Sequence, residues 1–174
     1  EAGCWSNDII NLKKKVDAGC DFLTTQMFFD NGMFYSFRYR CREAGIQVPI
    51  VAGIMPITNQ VQVTRALQLS QAYMPPKFRS LVDHFGSNPA AMKQAGIIYA
   101  SDQIIDLIAN DINHIHVYSM NKPEIAAGIL NSLSSILGRK RHGRRASWRR
   151  GAAGRRRDAG ARFVTGFFRW YPSA

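Results

Sequence analysis

Apolar positions in the first 138 residues alternate between two rhythms. Ile9, Leu12 and Val16 recur at helical spacing behind Ser6 or Asn7 as a cap, with Asp8 in the first turn and Ala18-Gly19 as a stop. Cys20–Gln26 is a short apolar run of buried-strand type, and Asp30-Asn31-Gly32 reads as a turn. Residues 33–44 place Phe34, Phe37 and Cys41 on one helical face, closed by Gly45, and Val48–Ile54 is a second strand with Pro49 near its start. Thr58 or Asn59 caps a helix over about 60–70, and Tyr73–Phe85, with Pro75-Pro76 near its start, gives a shorter one. Asn88-Pro89 opens a long helix to about Asn110, whose apolar positions are Met92, Ala95, Ile98, Ile104, Ile105 and Ile108. His114–Tyr118 is a third strand, and Pro123-Glu124 starts a last helix to about Leu137.

Helices alternating with short apolar strands, without two-residue hairpin turns, predict βαβ units and a parallel sheet. Three parallel strands alone leave exposed edges. The expected fold class is therefore α/β, a partial TIM-type (β/α)8 barrel of about three βα units over residues 1–138. The chain looks truncated in this reading.

The 174 residues are 46% hydrophobic and carry a formal net charge of +11, enough apolar content for a core. The charge is unevenly placed. Residues 1–138 hold 11 basic and 11 acidic side chains, whereas residues 139–174 hold 12 basic ones and a single acid, Asp158. A neutral body thus carries a basic tail, rich in Arg, Gly and Ala and without apolar period, for which disorder is expected. Three origins for the tail stay open: an out-of-frame or intron-read extension, a solvated basic extension, and an arm that binds nucleic acid through its arginines and Trp148, Phe167, Phe168, Trp170 and Tyr171. No run approaches the roughly 18 apolar residues of a membrane helix. Glu1-Ala2-Gly3-Cys4 lacks the basic and apolar regions of a signal peptide. Cys4, Cys20 and Cys41, odd in number and without CxxC spacing, argue neither a disulfide framework nor a zinc ribbon. Buried thiols and a cytoplasmic location are expected.

Chemistry in such folds gathers at the C-terminal ends of the strands. Those ends are Thr24–Asp30, Gly53–Asn59 and Tyr118–Lys122. Gln26 stands where a strand meets its loop; its carboxamide suits a heterocycle with a mixed donor–acceptor edge, or a bond to neighbouring backbone. His114 and His116 share a strand face, but no third ligand at metal-site spacing accompanies them, and no metal is expected. The Met27-Phe28-Phe29 and Phe34-Tyr35-Phe37 clusters read as core.

Five runs in order carry a family resemblance: Asp8–Gly19 (DIINLKKKVDAG), Thr25–Asp30 (TQMFFD), Arg40–Ile46 (RCREAGI), Pro49–Ile57 (PIVAGIMPI) and His116–Lys122 (HVYSMNK). Together they resemble the methylenetetrahydrofolate reductase family, colinearly through residues 1–137. The resemblance implies a TIM-type barrel, of which this chain matches the last three or so strands. It further implies FAD as cofactor, NAD(P)H as co-substrate, and reduction of 5,10-methylenetetrahydrofolate to 5-methyltetrahydrofolate in one-carbon metabolism and methionine synthesis. It places Asp8, Asn11, Lys14 and Lys15 on FAD-contacting positions, and their spacing lets them share one helix face. Lys14 stands where relatives often have arginine, so it offers a point charge rather than a fork. Gln26, Gln62 and Lys122 fall on substrate-binding positions, Lys122 again replacing an arginine. Ala66 stands where some relatives place an aromatic that stacks on ligand.

The family's catalytic glutamate and aspartate have no counterpart in this chain. No catalytic residue is assigned, and the chain alone is expected to be inactive. Glu1 fits the glutamate of a His-Pro-Glu run ahead of the FAD helix. The expected partners are a folate substrate and, in the full-length enzyme, a second copy of the chain. The alternative reading is a non-catalytic basic protein that binds nucleic acid through residues 139–174.

Overall fold

A computed structural model describes residues 2–70, 73–138 and 162–164, with side chains described over 8–67 and 73–138. The order is α1 (Ala2–Asp17), β1 (Leu23–Met27), α2 (Asn31–Glu43), β2 (Ile50–Ile54), α3 (Gln60–Ser70), α4 (Pro76–Phe85), α5 (Pro89–Ala109), β3 (His114–Val117), α6 (Pro123–Ser132) and β4 (Arg162–Val164). The strands form one parallel sheet in the order β1-β2-β3-β4. Sequential parallel strands with helical crossovers fit part of a (β/α)8 barrel.

Local chemistry explains most boundaries. Asp30 accepts from Gly32 N at 2.9 Å and caps α2, so Asn31 and Gly32 belong to the helix rather than to a turn. Asn59 Oδ1 accepts from Gln62 N at 2.9 Å, which selects Asn59 over Thr58 as the cap of α3. Asn88 accepts from the amides of Ala90 and Ala91 ahead of Pro89, starting α5 where the sequence places it.

Other boundaries move. α1 already runs from Ala2, so Ser6 and Asn7 lie inside it and not at its cap. The first strand begins at Leu23, the first residue to pair with β2 (Leu23 with Ile50), while Cys20 Sγ donates to Phe22 O. α6 ends at Ser132; of the residues expected to continue it to about Leu137, 133–136 form turns. The expected disorder of 139–174 lies outside the described residues, except at Arg162–Val164. Those three pair with His114–His116 as a fourth strand.

The core has two parts. The main cluster joins Ile9 of α1, Leu23, Ile50, Ala52, Ile54, Ile115 and Val117 of the sheet, Phe34 and Cys41 of α2, and Ile104 and Leu107 of α5. A second cluster lies beyond the strand ends: Phe29, Met55, Ile57, Val63, Ala66, Phe78, Val82, Met92 and Tyr99. Within it Phe29 stacks on Phe78 at 4.6 Å, Phe78 meets Tyr99 at 4.7 Å, and the Tyr99 hydroxyl donates to Phe29 O at 2.7 Å. The aromatic clusters are core at Phe29 and Phe34, with Phe28, Tyr35 and Phe37 packed against the main cluster. On α5 the buried residues are Met92, Gly96, Tyr99, Ala100, Ser101, Gln103, Ile104 and Leu107, while Ile98 and Ile105 are exposed. That helix carries isoleucines on its exposed side among Gln94, Asp102 and Asp106, so its apolar periodicity marks the inner face poorly. Cys41 is buried, but Cys20 is only half-buried, contrary to the expectation of buried thiols.

Candidate functional site

A cavity of about 160 Å³ opens at the C-terminal end of the parallel strands, lined by Gln26, Met27, Met55, Gln62, Arg65, Ala66, Tyr118 and Met120. The ends of β1, β2 and β3 each contribute. The register slips by one residue in β1, where Thr24 pairs with Val51 but Met27 with Gly53, so Thr25 and Gln26 together face Ala52. An extra residue of this kind bends a strand and re-aims its side chains, a device common beside functional sites. In place of a ladder bond, Gly53 N donates to Thr25 Oγ1 at 2.9 Å. Gln26 emerges at this bulge, exposed, and its carboxamide bonds to no described residue. Of the two readings open from sequence, the one that satisfies this glutamine on nearby backbone is not what the structure shows.

Gln62 reaches the cavity from the first turn of α3. Its Oε1 accepts from Thr58 N at 2.8 Å and Thr58 Oγ1 at 3.1 Å, while Gln62 N donates to Asn59. This is a variant of the capping box, in which the side chain reaches back past the cap residue Asn59 to Thr58. It fixes the amide orientation: the oxygen is held, and the –NH2 with its two donors is left for the cavity.

Tyr118 comes from the end of β3. Its hydroxyl donates to Thr25 O at 3.1 Å, its ring meets that of His116 edge-on at 4.4 Å, and burial raises its pKa. It is a neutral phenol at neutral pH. Met120 and Asn121 follow in left-handed backbone, φ 52° and 59°, a conformation that costs non-glycine residues about 1 kcal/mol each. Met27, Met55 and Met120 give the cavity polarisable thioether walls that pack against flat rings.

The other expected residues lie elsewhere. Lys122 is the N-cap residue of α6, half-buried, and does not line the cavity. Asp8, Asn11, Lys14 and Lys15 are all exposed on the outer side of α1, opposite the inward Ile9, along roughly 10 Å of helix axis. Lys13 is bound to Asp17, whereas Lys14 and Lys15 pair with no described residue. None of these four lines the cavity. Sequence reasoning missed Met27, Met55, Arg65, Tyr118 and Met120 as site residues. The only signal for them was their position after strand ends, or one helical turn from Gln62.

Among the described residues no three His, Cys, Asp or Glu side chains come together as a metal site would require. His116 is buried in β3 and His114 exposed. No helix among the described residues is long and apolar enough to cross a membrane.

Known proteins share this chain's sequence over the same span. The profile of the family described as "Methylenetetrahydrofolate reductase" matches residues 1–134. "Methylenetetrahydrofolate reductase (NADH) 1" of Arabidopsis thaliana is 35% identical over 148 residues, 85% of this chain and 25% of the plant protein. "5,10-methylenetetrahydrofolate reductase" of Escherichia coli strain K12 is 32% identical over 133 residues, 76% of this chain and 45% of the bacterial one. "Methylenetetrahydrofolate reductase 2" of Saccharomyces cerevisiae is 34% identical over 132 residues, 74% of this chain and 22% of the yeast protein. The chain thus spans less than half the length of these relatives. The matched span contains α1, all three strands that meet at the cavity, and both glutamines that face it; this chain belongs to the methylenetetrahydrofolate reductase family.

Proposed function

We propose that residues 1–138 hold flavin and folate for the NAD(P)H-dependent reduction of 5,10-methylenetetrahydrofolate to 5-methyltetrahydrofolate. The observation that carries this reading is the meeting of Gln26 and Gln62, 36 positions apart in sequence, on one cavity with thioether walls. Gln26 offers an acceptor and two donors, and Gln62 donors only, a pairing that suits the mixed edge of a pterin-like ring. Met27, Met55 and Met120 would pack on its faces, and the Tyr118–Thr25 bond holds the two strand ends at fixed spacing.

The outer side of α1 fits the dinucleotide part of FAD. Two ammonium groups free of ion pairs among the described residues, Lys14 and Lys15, suit a pyrophosphate. Asp8 and Asn11, two turns and one turn earlier, suit ribose hydroxyls and an adenine edge. When bound, the flavin supplies hydride transfer from the reduced nicotinamide to the substrate's methylene carbon.

The residues of this chain bind and orient. No carboxylate lines the cavity, and its protons reside on Tyr118, whose pKa is raised, on Arg65 and on the amides. We assign the proton that completes the reduction to an acid outside this lining, because a phenol whose pKa is raised and a guanidinium are weaker acids than a carboxyl group. This supports the expectation that the chain by itself holds ligands without turning them over.

Titration of the purified full chain with FAD, followed by flavin fluorescence, tests the reading. We expect saturable binding that the double variant Lys14→Ala/Lys15→Ala weakens by about tenfold or more, since hydrogen bonds to charged groups contribute about 1.5–3 kcal/mol each. We expect no turnover of NADH with menadione. Absence of saturable flavin binding overturns the proposal, and clear turnover overturns its statement about the proton donor.

A further inference from the structure

Arg65 bears the only charge among the eight residues that line the cavity; the others are methionine, alanine, glutamine and tyrosine. On α3, positions 62, 65 and 66 lie at i, i+3 and i+4, and one helix face therefore turns all three toward the ligand space. Lys13, Lys77 and Lys93 each pair with a carboxylate, at Asp17, Asp102 and Glu124, and Arg42 donates to the carbonyls of Ile46 and Val48. Arg65 bonds to no described residue, and it is exposed, so its guanidinium stands at the mouth and not the floor. Beside it Ala66 is buried and small, which keeps the passage from Arg65 to the glutamines open. A planar fork of donors without a counter-charge, at the rim of an apolar slot, matches a carboxylate better than any neutral group.

We infer that Arg65 anchors the carboxylate end of the ligand whose ring Gln26 and Gln62 read. The inference rests on the folate reading above, because a pteroylglutamate carries its carboxylates at the end remote from the ring. It assigns to Arg65 the selection of glutamylated over neutral pterins.

Binding of 5-methyltetrahydrofolate, of the same compound with both glutamate carboxylates esterified, and of NADPH is measured by calorimetry on the full chain, as wild type, Arg65→Ala and Arg65→Lys. No hydrogen bond or ion pair joins Arg65 to a described residue, and an unchanged unfolding midpoint verifies that each variant keeps its fold. The expected result is about a tenfold loss of 5-methyltetrahydrofolate affinity in Arg65→Ala, partial recovery in Arg65→Lys, and equal diester affinity in all three. An equal loss for acid and diester overturns the inference, since Arg65 then acts by packing. No loss for either also overturns it, and a loss confined to NADPH reassigns the guanidinium to a phosphate. If wild type binds neither the acid nor the diester, the folate reading itself falls, and this assignment with it.

Discussion

The Tyr118 hydroxyl donates to the carbonyl oxygen of Thr25 at 3.1 Å, joining the ends of the two strands that flank β2. The bond crosses above Gly53. A Cβ at that glycine would lie 2.6 Å from Thr25 O and 3.0 Å from the Tyr118 ring. Glycine is required there by the close approach of three strands and not by its backbone angles.

Gly53→Ala should therefore push β1 and Tyr118 apart and cost about 1–3 kcal/mol, the usual range for forcing atoms into a packed site. Tyr118→Phe loses one hydrogen bond and should cost about 1 kcal/mol. Urea unfolding of the two variants checks both values. A Gly53→Ala variant as stable as wild type would show that β1 can move freely.

Gln62 has two roles that substitution can separate. Gln62→Glu keeps the oxygen that accepts from Thr58 and should hold stability within about 0.5 kcal/mol. It removes the –NH2 donors, so folate affinity should fall about three- to tenfold. Gln62→Ala loses cap and donors together and should lower both stability and binding. Paired unfolding and calorimetry would refute the division if Gln62→Glu bound normally.

Gly96 lets α5 lie directly under the loop after β2: a Cβ there would meet Ile57 O at 1.7 Å. Backbone must shift to admit it, and Gly96→Ala should cost at the upper end of the roughly 1–3 kcal/mol overpacking range. The displaced loop carries Thr58 and leads into Gln62, so ligand binding should weaken as well. Thermal unfolding combined with folate titration measures both effects.

Tyr35 and Asp106 form a pH-dependent latch between α2 and α5. The Tyr35 hydroxyl donates to Asp106 Oδ2 at 2.6 Å, and Asn31 Nδ2 donates to the same oxygen at 2.7 Å. The bond from Tyr35, then that from Asn31, lowers the Asp106 pKa against the opposing effect of desolvation. Burial first, then the bond to Asp106, pushes the Tyr35 pKa up to about 12. A depressed carboxylate contributes stability above its unfolded pKa, near 3.8, and loses it as pH falls further. A raised phenol contributes stability below about pH 10 and loses it as pH rises from there through about 12. Tyr35→Phe should flatten the stability profile below pH 4 and reduce its fall above pH 10, where Tyr99, also near 12, still titrates. Unfolding midpoints across that pH range decide it, and an unchanged acid limb would refute the coupling.

Most elements were legible in the sequence because their boundaries are local chemistry. Asn88-Pro89 and Pro123-Glu124 start helices within a few residues of side chain and ring geometry, and Val48–Ile54 is an apolar run too short for anything but a strand. Where the pattern was ambiguous, the reading slipped. Ile98 and Ile105 are as apolar as Ile104, yet they face solvent, since which isoleucines of a helix with apolar residues on both sides are buried depends on what packs against it. Ser6 and Asn7 carry the local preference of N-caps, yet α1 runs through them from Ala2, so local propensity does not set the start of this helix. Of the site, Gln26 and Gln62 were legible through the family motifs, while Arg65 and the three methionines were not, having no signature beyond their place after a strand or along a helix.

Residue order alone determined the alternation of strand and helix, the split between a neutral body and a basic tail, and the family, since each is written in neighbouring residues or colinear motifs. Tertiary structure decided which polar groups are spent and which are free. Gln62 has its oxygen occupied by Thr58 while Gln26 keeps its whole carboxamide, and Lys13 is paired while Lys14, Lys15 and Arg65 bond to no described residue. Hydrogen bonds and ion pairs reach only a few ångströms, so their partners exist only once the sheet register, the bulge in β1 and the approach at Gly53 have set the distances.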